Sequence, residues 1–337
     1  MLVLRGYSEL PPHSASAFDH GDVYRATGRV FIAHTAANSV EALDGDTGAH
    51  EWTVPGCPEA SGVLCAQDEG IVFAAARGAG KVLVIEASAG AVLREIAVGP
   101  RPNGLAWDTE RKGLLVADVQ ENQAWLVDPL LSSPQRPPRR VTLPGRPRWC
   151  VYDSARSRFL VNIREPACVA ILSADGGEQM AQWPVSASGP HGLDLDMSNR
   201  RAFVACDEGM VVALDLDDGH ELDRVPIAGA PDAVWYNSRR QRLYVAIEHP
   251  GVVDAINTVT MTLDEETVTE VGAHTTAFDV ERRRLYVFLP ETCRVALYEE
   301  YDEPDDLSWQ YTADQLDRTA VLRWEGEGGA LDKRKEV

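Results

Sequence analysis

The chain has 337 residues, 45% of them apolar, and sets 52 acidic side chains against 32 basic ones for a formal net charge of −20. The apolar share suits a globular protein, and the negative balance excludes nucleic acid and anionic membrane as expected partners, because both call for a basic surface. The opening residues Met1-Leu2-Val3-Leu4-Arg5-Gly6 have neither a basic start nor an apolar run of signal-peptide length. No segment approaches the roughly 18 apolar residues of a membrane span. The expected location is therefore cytoplasmic. The six cysteines (57, 65, 150, 168, 206, 293) show no CxxC pair and no zinc spacing. Cys150 and Cys206 read as small core hydrophobes, and a Cys57–Cys65 disulfide stays open.

Taken in order, the chain repeats one short strand. It appears as Arg29-Val30-Phe31-Ile32-Ala33, Gly70-Ile71-Val72-Phe73-Ala74, Gly113-Leu114-Leu115-Val116-Ala117, Arg158-Phe159-Leu160-Val161-Asn162, Arg201-Ala202-Phe203-Val204-Ala205, Arg242-Leu243-Tyr244-Val245-Ala246 and Arg284-Leu285-Tyr286-Val287-Phe288. With the third residue as marker, the intervals are 41, 43, 45, 43, 41 and 42. A period near forty made of β-runs predicts an all-β, seven-bladed propeller with one four-stranded antiparallel blade per repeat. Each repeat opens with a strand ending in an acid or amide, at Asp19, Asp108, Asp153, Asp196, Asn237 and Asp279, with Ala66 the exception. That residue is expected to accept backbone N–H groups in the following turn. Trp107, Tyr152, Tyr236 and Phe278 precede it in four repeats and are expected to pack between blades.

The last repeat supplies three strands. Leu2-Val3-Leu4 is expected to add the fourth and close the ring, with Thr319–Trp324 as the alternative. The expected domains are a propeller over 1–300 and an acidic C-terminal extension over 301–337. In that extension Trp309 and Trp324 are expected to pack, and the last ten residues to be disordered.

Phe31-Ile32-Ala33, Asn38-Ser39-Val40, Leu43-Asp44 and Thr47-Gly48, with the link Gly99-Pro100-Arg101-Pro102-Asn103-Gly104, resemble the YVTN-repeat β-propellers over roughly residues 14–298. More distantly the chain is similar to lactonase-like propellers and to virginiamycin B lyase. It lacks the His-x-Glu or Glu-x-His pair such a lyase would need. The resemblance implies a scaffold and leaves function to the site.

Aligning the repeats places one polar residue per blade at the start of the innermost strand: Ser14, Ser61, Asn103, Arg148, His191, Asp232 and His274. Loops after the marker strands add His34, Asp118, Arg164, Glu165, Asp207, Glu248, His249 and Glu291. Convergent polar groups at a channel mouth predict a binding site for a small molecule or a protein partner. No cofactor is required, but His191, Asp232 and His274 could hold a divalent metal, since imidazole and carboxylate are common donors. Alternatively His191 or His274 serves as a general base in a metal- or His-assisted hydrolase or lyase. Arg148 and Arg164 suit an anionic group. Asp194, in an inner strand, is expected to reach the channel. His13, His20, His50 and His220 read as turn residues.

Overall fold

A computed structural model describes residues 1–13, 16–130 and 137–301. The chain divides into two compact units, Leu4–Glu299 and a smaller one of Met1–Val3 with Glu300–Val337. Beyond Tyr301 the extension, with Trp309, Trp324 and Thr319–Trp324, lies outside the described residues, as does Ser14.

Seven four-stranded antiparallel sheets form the blades of a propeller. Blade 5 shows the pattern, with strands Pro190–Asp196, Arg201–Cys206, Met210–Asp215 and Glu221–Pro226 running from the channel outward. Each second strand is packed on both faces by neighbouring blades, which is why it reads as a continuous apolar run. Leu243, Tyr244, Val245, Ala246 and Ile247 are all buried. Outer strands face water, and in Glu221–Pro226 only Val225 is buried. The core accordingly lies in the seams. Between blades 5 and 6, Phe203, Val211, Val225, Leu243, Val245 and Ile256 form one cluster with Tyr236 packed against it. The expected aromatic packing joins neighbouring blades at Phe73–Trp107, Phe203–Tyr236 and Tyr244–Phe278, whereas Tyr152 meets Phe159 within its own blade.

The N-terminal strand Leu2–Glu9 is hydrogen-bonded beside Arg294–Glu300 and completes the last sheet, so the edge left by three strands is covered. All six cysteines are free. No helix among the described residues is long and apolar enough to cross a membrane.

The strand registers correct the alignment of the first two blades. Tyr24, not Asp19, pairs with Arg29, as Asp196 pairs with Arg201. The blade 1 inner strand thus begins five residues later than expected, and Asp19 takes the ring position assigned to Ser14. In blade 2, Leu64 pairs with Phe73 where blade 5 pairs Asp194 with Phe203, so Phe73 is the marker.

Close approach at the mouth rests on glycine. Gly62, Gly104 and Gly192 each follow a ring residue, and an added Cβ would lie 1.9, 2.5 and 2.4 Å from the carbonyl oxygens of Asn103, Arg148 and Asp232 in the next blade.

Candidate functional site

The mouth is built from the first residues of the inner strands. Hydrogen bonds from the Asn162 amide to the carbonyls of His191 (3.0 Å) and Gly192 (2.8 Å) fix the blade 5 strand where it starts. The ring then reads Asp19, Ser61, Asn103, Arg148, His191, Asp232 and His274.

Its centre is Asp232 on blade 6. His191 Nε2 lies 3.3 Å from Asp232 Oδ1, His20 Nε2 3.5 Å from the same oxygen, and His274 Nε2 3.9 Å from Oδ2. Three imidazoles from blades 5, 7 and 1 therefore surround one carboxylate, and all four side chains are largely buried. Among the described residues Oδ1 is buried without a hydrogen-bond partner. Burial works against the charged form of Asp232, but His191, His20, His274 and Arg148 outweigh it and hold its carboxyl below the usual range. Burial lowers the His20 pKa against the pull of Asp232 and Asp19. At His274 burial is overcome by Asp232 and by the hydrogen bond to Gly272, and the pKa is raised.

Two of the imidazoles are oriented by their other nitrogen. His191 Nδ1 lies 3.0 Å from Asp207 Oδ1, and Asp207 forms a 2.8 Å ion pair with Arg164. Burial opposes the Asp207 charge, but His191, Arg164 and Arg148 hold its carboxyl below its ordinary range. An ionised carboxylate only accepts, so His191 Nδ1 carries a proton, which in the neutral imidazole leaves the lone pair on Nε2. His274 Nδ1 donates to the Gly272 carbonyl at 2.7 Å. His20 stacks on Trp149, ring centroids 4.0 Å apart.

The other half of the ring differs. Ser61 is fully buried and its hydroxyl donates to the carbonyls of Pro102 and Ala75, so it joins blades 2 and 3. Asn103 Oδ1 and Arg148 Nε are buried without hydrogen bonds. Arg77 pairs with Asp19 at 3.2 Å, and Arg101 with Glu59 at 2.6 Å. Glu165, Glu248 and His249 are exposed on loops. Asp118 is buried in its own turn, where it accepts from the backbone of Gln120 and Glu121.

His34 stands apart from the ring. It is fully buried against Phe18 (ring centroids 4.6 Å), with Nδ1 3.4 Å from Glu41 Oε1. Glu41 also accepts from Ser39, Thr53 and His50, and these contacts offset its burial to bring its pKa to about 2. Both His34 and His50 belong to this buried cluster of blade 1. His34 is out of reach of a ligand at the mouth, and His50 is more than a turn residue. Asp194 and its blade 1 equivalent Asp22 each accept two backbone N–H groups, one of them from the next blade: Tyr236 for Asp194 and Cys65 for Asp22. Burial raises both carboxyls to about 6.

Sequence reasoning brought together His191, Asp232 and His274 and read Asp207 as a loop residue. It missed His20 as a member of the cluster. The missed signal was Arg29, which by its pairing with Tyr24 sets the blade 1 strand.

A sequence profile of the family described as outer membrane protein assembly factor BamB matches residues 14–120. No curated protein sequence matches the chain. Among solved structures, a chain of the mitotic checkpoint complex is 11% identical, with a TM-score of 0.75 over 89% of this chain and 92% of that one. A chain of hydrazine synthase from Kuenenia stuttgartiensis is 12% identical, with a TM-score of 0.77 over 89% and 100%. The β-propeller domain of Cps50 (Swd1) from Myceliophteria thermophila is 13% identical, with a TM-score of 0.74 over 89% and 100%. These likenesses establish the propeller fold and nothing narrower.

Proposed function

We propose that this chain is a binding propeller that takes a small polar ligand at the channel mouth, on the arc of blades 5, 6, 7 and 1. Asp232 carries the reading: its buried Oδ1 has no hydrogen bond although three imidazole nitrogens face the carboxylate within 3.9 Å. A buried carboxylate oxygen left this way costs stability, and such costs are retained where a site needs them. Asn103 Oδ1 and Arg148 Nε add an unused acceptor and an unused donor on the same ring. A ligand bearing both hydroxyl and carboxylate groups matches that set.

The Asp207–His191 pair favours a second reading. An imidazole held by a carboxylate at Nδ1 turns its Nε2 toward a substrate, the arrangement of a general base in hydrolysis or elimination. Opening of a cyclic ester, the chemistry of lactonase-like propellers, is the reaction it would serve. The YVTN-like repeat grammar supports the scaffold in either case.

The test is a calorimetric and thermal-shift screen of untagged, chelator-treated chain against hydroxy acids, sugar acids and their lactones, with His191→Ala/His274→Ala as the comparison. Binding that disappears in the double variant supports the mouth as the site. Lactone turnover lost in His191→Ala places the hydrolase reading first. Absence of any hit, together with capture of a protein partner that the double variant binds equally well, contradicts both.

A further inference from the structure

We infer that the arc of blades 5, 6, 7 and 1 binds one divalent transition-metal ion, with zinc as the reference ion, through Nε2 of His20, His191 and His274 and the carboxylate of Asp232. The inference rests on the mouth being a ligand site and adds a resident ion to it. Three observations carry it. The donor set is three imidazoles and one carboxylate, a set suited to zinc and related ions and poorly suited to calcium or magnesium. The Nδ1 atoms of His191 and His274 are committed to Asp207 (3.0 Å) and to the Gly272 carbonyl (2.7 Å), as metal-bound histidines commit their second nitrogen. Each Nε2 lies 3.3–3.9 Å from an Asp232 oxygen, and two ligands of a tetrahedral zinc ion with bonds of about 2.0–2.1 Å stand about 3.3 Å apart.

The ring nitrogens are spread around the carboxylate. Among the described residues, the three donors gathered within 4.8 Å of one another are Asp215, Asp218 and His220, in an exposed turn. An ion at the mouth therefore draws the imidazole tips inward, and Arg148 beside Asp232 opposes its charge. Asp207 and Asp19 lie at the same ring and offset that charge. His20, which comes from blade 1, distinguishes this site from the three-donor set read from the repeats.

Zinc titration of the untagged, chelator-treated full chain tests it. The expected result is one ion per chain, with affinity lowered at least about tenfold in His20→Ala and in Asp232→Asn. It should fall about 10- to 100-fold in Asp207→Asn, which orients a ligand without being one, and stay unchanged in His220→Ala. Circular dichroism checks that each variant is folded. Should the mouth variants unfold, cobalt bound to the wild-type chain decides, because a four-coordinate site gives the intense visible absorption that a six-coordinate one lacks. The inference is overturned by absence of binding, by binding that survives His20→Ala and Asp232→Asn in folded protein, by loss of binding in His220→Ala, or by a six-coordinate cobalt spectrum. Hydroxy-acid binding that persists in the metal-free chain, with no zinc bound, would end this inference and leave the ligand-binding reading standing.

Discussion

The two ends of the inner strands set the same side chain in opposite circumstances. At the far end, Asp108, Asp153, Asp196 and Asp279 are buried in tight turns, and their oxygens are used. Asp279 Oδ1 accepts from the backbone of Glu281 and Arg282 while Oδ2 meets the Arg282 guanidinium at 3.1 Å. Asp153 Oδ2 meets Arg156 at 3.3 Å and the buried Arg158 at 3.0 Å. At the mouth, Asp232 is largely buried, yet among the described residues its Oδ1 has no hydrogen bond, and its charge is balanced by imidazoles 3.3–3.9 Å away and by Arg148. A carboxylate that closes its hydrogen bonds locally is building the fold, and one that leaves them open is kept for something else.

The contrast breaks most forcefully at the far end. Asp153→Ala strands the buried Arg158 charge and should cost about 3–5 kcal/mol, read as a large fall in denaturant midpoint. Gly192→Ala is next. Its Cβ would sit 2.4 Å from the Asp232 carbonyl, so it should destabilise by about 1–3 kcal/mol and weaken binding at the mouth as well. Gly113→Ala meets nothing within 4 Å and should melt within a degree or so of wild type.

The third effect is smaller and depends on pH. Asp22 and Asp194 have folded pKa values near 6, above the ordinary 3.8, so their protonated forms are favoured by folding. Their contribution is fully present below about pH 4 and is lost as pH rises through about 6. Lowering pH from 8 to 5.5 should then raise stability by about 1 kcal/mol per group. His274, with its raised pKa, adds in the same direction, and His20, with its lowered one, opposes it. Melting temperatures across this range, compared with those of Asp22→Ser/Asp194→Ser, should show the slope shrinking in the variant.

The sequence carried the blade count and most of the ring because both depend on local spacing. Asn103, Arg148, His191, Asp232 and His274 each stand ten residues before the first residue of a marker strand, and that distance is set by one hairpin. Blade 1 misled because Phe18-Asp19 imitates Trp107-Asp108, an aromatic followed by an acid. Only the pairing of Tyr24 with Arg29 reveals that the strand starts later and brings His20 to Asp232. His34 could have been read correctly from strand alternation, since it shares a face with the buried Ile32. The link from Asp207 to His191 joins residues 16 apart across a hairpin, and Asp232 reaches the histidines across blades, so no local pattern announces either.

The smallest expected effect is the most telling. The thermal melting of Asp232→Asn at pH 8, beside that of Asp153→Ala, asks directly whether the mouth carboxylate holds the fold together. A midpoint equal to or above that of wild type, with Asp153→Ala falling by many degrees, is the result expected of a residue kept for binding. A fall in Asp232→Asn as large as that in Asp153→Ala would make Asp232 one more structural aspartate and contradict the mouth as the functional site.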